Sequence, residues 1–223
     1  ALVVFRFGLS FGKMCVILFL PIYAVALGLS PLYVGGILAG GKLTKALTQG
    51  YVGGLTDRVG SKHLFVFVGA LVYAVGTLAI PLAGVADRFV SSVTLAGYTF
   101  APAFIVLFGA YGVCGIADSI RLPASMALFV EEGEQFEAVA ASMSLRSIAW
   151  KVGQITGPLI VGAIWDATGV LTAFAVASGM IVLSSLVFIT IYAVDDPVPD
   201  GLEDDDGVDL SPGGEDPAAA DDD

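Results

Sequence analysis

Apolar residues in this chain are gathered into six long segments, separated by short stretches that contain polar residues, glycine or proline. The segments lie at about 5–27, 31–55, 64–84, 102–130, 139–165 and 170–194. A helix needs about 20 predominantly apolar residues to cross the hydrocarbon core of a bilayer, and each segment meets that length. The pattern therefore predicts an all-α integral membrane protein with six transmembrane helices.

The composition supports this class of protein. Of the 223 residues, 57% are hydrophobic and 14% are charged. A typical soluble domain has about 25% charged residues, so the chain carries too few charges for one. The lipid bilayer is therefore its expected surrounding.

The last 29 residues differ sharply from the rest. They hold 13 of the 21 acidic residues and no Lys or Arg, whereas the body has 8 acidic and 10 basic residues. So few large apolar residues cannot bury enough surface to fold. We expect a disordered acidic C-terminal tail at 195–223 after a six-helix domain at 1–194. The net charge of −11 belongs to this tail and argues against nucleic acid as a partner.

Residues that carry enzyme chemistry are scarce. Cys15 and Cys114 lie inside apolar segments, where cysteine is most simply a small core residue. The single histidine, His63, ends a charged turn. The sequence has no nucleophile–base pair, no metal-ligand spacing and no phosphate-binding loop. We therefore expect neither enzymatic activity nor a cofactor.

The charged turn lies between the second and third apolar segments. Positions 54–62 fit the spacing Gly-x-x-Asp-Arg-x-Gly-x-Lys. This pattern, in this position, resembles the signature loop of the major facilitator superfamily of membrane transporters. The resemblance implies that five residues act in conformational change rather than in solute binding: Gly54, Asp57, Arg58, Gly60 and Lys62.

The resemblance covers residues 1 to about 194, which correspond to one six-helix half of the family fold. A complete member has two such halves around a central site. We therefore expect the chain to require the missing other half or a second copy of itself. The acidic tail favours the C-terminal half, and an N-terminal half cut in the central loop is the alternative.

The distribution of basic residues between the spans predicts an orientation. Arg6, Arg58 and Lys62 lie on the signature side of the helices, and Arg88 lies on the other side. Cytoplasmic segments carry an excess of Lys and Arg. We therefore expect a multi-pass protein of the cell membrane with the signature loop and both termini in the cytoplasm.

Besides Arg6 at the start of the first segment, six of the ten basic residues fall inside the apolar segments, and one acidic residue, Asp118, opposes them there. A cation at the bilayer centre costs at least about 2.5–3.5 kcal/mol, so such residues usually face a cavity or a partner. We predict nine residues that border a substrate cavity: Lys13, Lys42, Lys45, Gln49, Asp118, Arg121, Arg146, Lys151 and Gln154. Lys42 and Lys151 are the strongest of these, because each lies well inside its segment on a polar stripe with a Gln.

A structural role for these charges is the alternative. Lys13 and Arg146 would then reach the membrane surface from helix ends. Asp118 would pair with Arg121, which lies three residues further along the same helix.

The functional hypothesis is a secondary active transporter that moves a small solute by alternating access. An internal excess of positive charge favours an anionic solute, and Asp118 is the candidate proton relay. The alternative is a non-transporting membrane sensor or assembly subunit on the same scaffold. Charges inside the membrane favour the transporter, because a scaffold has little reason to carry them.

Overall fold

The computed structural model describes residues 1–59, 61–95, 98–135 and 138–195. Its helices are α1 Leu2–Ala26, α2 Pro31–Val59, α3 Lys62–Ala79, α4 Pro102–Gln135, α5 Val139–Thr168 and α6 Val170–Asp195. The six apolar segments are thus confirmed as helices. Of the predicted tail, Asp195 ends α6 and the remainder lies outside the described residues.

The charged turn is shorter than the sequence predicted. α2 continues through Val59 and α3 begins at Lys62, so Gly54, Asp57 and Arg58 belong to the last turns of α2. Continuing the helix lets their backbone N–H groups donate within α2, whereas an open loop would leave them to water. Gly60 lies outside the described residues.

Two short elements between α3 and α4 were not predicted. A 3-10 helical segment, Ile80–Arg88, continues α3. The antiparallel strands β1 Val93–Leu95 and β2 Tyr98–Phe100 then form a hairpin in which Val93 pairs with Phe100. β-Branched and aromatic residues favour strands, so the sequence of this hairpin carries a weak signal for it.

A single residue joins α5 to α6. Gly169 has φ +98°, a left-handed conformation that glycine adopts without steric cost. Its N–H donates to the Trp165 carbonyl at the end of α5, and its carbonyl accepts from Ala173 N–H at the start of α6. One residue therefore serves as the end of one helix and the beginning of the next.

The helices pack as two groups that share a seam. α4 packs against α2 and α3, α1 packs against α5 and α6, and α3 lies against α6. Glycines bring α5 close to α1. A Cβ at Gly153 would lie 2.6 Å from the Phe7 carbonyl oxygen, and one at Gly157 would lie 2.6 Å from that of Phe11. Small residues thus let these two backbones approach, as in many membrane helix pairs.

Within the residues that the structure describes, four stretches are long and apolar enough to cross a membrane by length and composition: Leu2–Ala26, Lys62–Arg88, Pro102–Gln135 and Val170–Tyr192. α2 and α5 are equally long, at 29 and 30 residues, but more polar. The membrane class is therefore supported, and the spanning of α2 and α5 stays a prediction.

Candidate functional site

The Asp118 carboxylate lies between two cations from different helices. One oxygen accepts a hydrogen bond from Lys13 Nζ on α1, and the other accepts one from Arg121 Nη2 on α4. Asp118 is 7% exposed and Arg121 is fully buried. Removing one partner of such a buried pair leaves an uncompensated charge, which costs about 3–5 kcal/mol. Asp118 therefore links α1 to α4 at the position of Lys13 and Arg121.

Two more arginines lie next to this pair. Arg6 on α1 is 7% exposed, and its Cζ lies 4.2 Å from the centre of the Trp150 ring on α5. Arg6 is within electrostatic range of Asp118, Arg121 and Arg146. We call Arg6, Lys13, Asp118, Arg121 and Arg146 the buried charge cluster. In the part of the chain that the structure describes, it sets four cations against one carboxylate.

Aromatic rings form part of the wall around these charges. The Tyr73 ring on α3 has Lys13 Nζ at 5.9 Å and Arg121 Cζ at 5.8 Å from its centre. Arg146 lies 5.8 Å from the Phe129 ring. A ring face attracts a cation by about 0.5–2 kcal/mol. These rings therefore offset part of the cost of burying the cations.

Several donors in this region have no partner. Among the described residues, the buried side-chain N and O atoms without a hydrogen bond are Arg6 Nε, Arg121 Nε and Nη1, Ser125 Oγ and Arg146 Nε. Ser125 lies one turn after Arg121 on α4 and is fully buried. An unsatisfied buried donor costs about 1–3 kcal/mol, so this concentration in one region requires an explanation.

A small pocket borders the cluster on the side of α2. Its volume is about 20 Å³, which is room for about one water molecule. Its polar lining comes from Lys13, Lys42, Lys45, Asp118, Tyr73 and Tyr111. The pocket therefore connects the buried charge cluster with the lysines of α2.

The predicted cavity residues divide into two sets. Lys13, Asp118, Arg121 and Arg146 come together in the buried charge cluster, and Lys45 lines the adjoining pocket. The pairing of Asp118 with Arg121 is confirmed, and Lys13 joins it instead of reaching for the membrane surface.

The second set lies at the periphery. Gln49 and Lys151 are exposed, Gln154 is half-buried, and Lys42 is exposed although it also lines the small pocket. Large apolar side chains are exposed beside them, with Leu47 at 72% and Leu159 at 70%. We define the open faces of α2 and α5 by their exposed residues Lys42, Leu43, Leu47, Lys151, Ile155 and Leu159. The role of Lys42 and Lys151 stays a prediction.

At the end of the helices where α3 begins, contacts join α3, α4 and α6. Lys62, the last residue of the signature pattern, pairs with Glu131 on α4. The neighbouring Glu132 accepts a hydrogen bond from the Tyr192 hydroxyl on α6. Among the signature residues with a described side chain, Lys62 therefore contacts α4.

Four contributors to the site were not predicted: Arg6, Tyr73, Ser125 and Trp150. Arg6 could have been found, because it lies four residues before Ser10 and seven before Lys13, on one helical face. Ser125 shares a stripe with Asp118 and Arg121 on α4. Tyr73 and Trp150 gave no signal, since an aromatic residue in an apolar segment usually packs against lipid or core.

The fold and the site define a helical membrane protein with a charged interior. The family profile described as Major Facilitator Superfamily matches residues 2–214. The chain belongs to this superfamily, which confirms the resemblance of the signature stretch and gives the chain a transporter-type function. A search of curated proteins found no match.

Proposed function

We propose that the chain is one six-span half of a secondary active transporter that moves a small anionic solute by alternating access. The buried charge cluster carries this proposal. Four cations and one carboxylate lie among apolar helices, where charges are weakly screened. A positive site with a wall of low dielectric constant draws anions in. A sensor or assembly subunit would have little need of such a costly interior.

The open faces of α2 and α5 support the presence of a second half. They combine exposed lysines with exposed Leu and Ile side chains, which suits neither lipid nor water alone. Another half or a second copy that covers them would bury the apolar residues. Lys42 and Lys151 would then face a shared cavity, together with Lys45, Gln49 and Gln154.

We further propose the cell membrane as the location, with both termini in the cytoplasm. The bias of Arg6, Arg58 and Lys62 over Arg88 in the sequence supports this orientation. Membrane-impermeant thiol reagents applied to intact cells test it. Ser91→Cys should be labelled from outside and Ser61→Cys should not, and the opposite pattern would refute the orientation.

Uptake into membrane vesicles tests the function. The chain alone and two copies joined by a flexible linker are compared, because termini on one side permit such a fusion. Labelled carboxylates, inorganic anions and organic cations are offered to each. We expect saturable uptake of an anion by the fusion. Cation uptake would contradict the anionic solute, and no saturable uptake by inserted protein in either form would contradict transport.

A further inference from the structure

The unpartnered buried donors of this protein occur together. All of those found in the described residues belong to four side chains: Arg6, Arg121, Ser125 and Arg146. Native proteins pair nearly all buried polar atoms. These side chains come from three helices, α1, α4 and α5, and lie around the buried charge cluster. The clustering indicates one common ligand.

The three arginines lie within electrostatic range of one another. Arg6 interacts electrostatically with both Arg121 and Arg146, and Arg146 interacts with Arg121. Ser125 lies on α4 between Arg121 and Phe129, and the Phe129 ring has the Arg146 guanidinium 5.8 Å from its centre. Donors from three helices therefore lie in one region of the protein.

The charge of this region indicates the kind of ligand. The two oxygens of Asp118 already accept from Lys13 and Arg121 Nη2. In the described ranges, neither Arg6 nor Arg146 forms an ion pair with a carboxylate. Water could accept the hydrogen bonds, but it would leave three guanidinium charges facing one another. An anion both accepts the hydrogen bonds and offsets the charge.

We propose that one small monovalent anion binds between Arg6, Arg121 and Arg146. It accepts hydrogen bonds from the free guanidinium N–H groups and from the Ser125 hydroxyl. Chloride and a carboxylate group share the required chemistry, so the ligand is either a free inorganic ion or the carboxylate end of a solute. The site lies within this chain, apart from the open faces of α2 and α5, and its occupancy requires no transport.

Thermal unfolding of the full chain in detergent tests the site. Sodium chloride replaces sodium methanesulfonate at constant ionic strength, because methanesulfonate is bulkier than chloride and carries no carboxylate group. We expect Tm to rise with chloride and to saturate. A Tm that does not change, or that rises without saturation, would overturn the proposal.

Variants connect that response to the named residues. Arg146→Gln is the main variant, because Arg146 is half-buried and the protein should tolerate its loss better than that of Arg121. Loss of a charge-assisted hydrogen bond should weaken chloride binding at least about tenfold. Arg88→Gln is the matched control, since Arg88 is exposed and lies in the 3-10 segment. Equal chloride responses in the two variants would refute the assignment.

Equilibrium binding of radioactive chloride identifies the source of the anion and does not depend on stability. Displacement by acetate and larger carboxylates would support a carboxylate site, whereas displacement by bromide and nitrate alone would support an inorganic ion. Ser125→Ala should weaken binding in either case with little change in fold. Absence of saturable binding to the folded chain would overturn the proposal and leave the transporter function untouched.

Discussion

The cations within the helices occupy two contrasting environments. Those of the buried charge cluster lie against a carboxylate, an aromatic ring or one another inside this half. Lys42 and Lys151 lie on the open faces of α2 and α5 among exposed apolar residues. Cations at similar positions within their apolar segments therefore have different surroundings in the folded protein. The first group contributes to the stability of this chain, and the second, under the proposed function, depends on the partner that covers the open faces.

The largest effect should come from Asp118→Asn. The substitution keeps the side-chain shape but leaves Lys13 and Arg121 buried without a counter-charge. We expect a loss of about 3–5 kcal/mol in the free energy of unfolding. Thermal unfolding in detergent, or the yield of folded protein, measures it. Asp166→Asn is the control, because Asp166 is exposed near the end of α5. Similar stability of the two variants would contradict the role of Asp118.

A smaller effect is expected at the contact that brings α5 against α1. Gly157→Ala would place a Cβ 2.6 Å from the Phe11 carbonyl oxygen, so the helices must separate. Overpacking of this kind costs about 1–3 kcal/mol in unfolding free energy. Gly50→Ala is the matched control, since nothing lies within 4 Å of a Cβ there. The control should be neutral or stabilising by up to about 1 kcal/mol. Equal destabilisation in both would show that α1 and α5 do not meet closely.

Substitutions on the open faces of α2 and α5 should affect transport more than stability. Lys42→Gln and Lys151→Gln should change the unfolding free energy of this half by no more than about 0.5 kcal/mol, as exposed substitutions do. In the assembled transporter each should raise the KM for uptake about tenfold, equal to about 1.4 kcal/mol. Unfolding in detergent and vesicle uptake measure the two quantities. Normal uptake by both variants would mean that these lysines are structural.

The smallest effect is expected at the exposed pair of Lys62 and Glu131. Surface ion pairs contribute about 0–1 kcal/mol, and salt screens them. A double-mutant cycle with Lys62→Gln and Glu131→Gln should therefore give a coupling energy below about 1 kcal/mol that falls at high salt. A coupling energy as large as the loss of unfolding free energy in Asp118→Asn would show that buried and exposed ion pairs do not differ in this protein.

Much of the fold could be read from the sequence because hydrophobic segment length is a local property. The Asp118–Arg121 pair was predictable for the same reason, since three residues apart on a helix means one face. The Lys13–Asp118 pair joins residues separated by 105 positions, and no spacing rule reports which helices become neighbours. The prediction ranked Lys42 and Lys151 by their depth in a segment. The position of a residue within a segment does not show whether its side chain faces the other helices of this chain or points away from them.

The one-residue join at Gly169 has a mechanical consequence. The same residue ends α5 and precedes the first residue of α6, so no flexible linker separates the two helices. A tilt of α5, which would also displace Lys151, must therefore be accompanied by a movement of α6. Any other residue at position 169 would strain the backbone at φ +98°. Under the proposed alternating access, α5 and α6 would therefore move together as one rigid body.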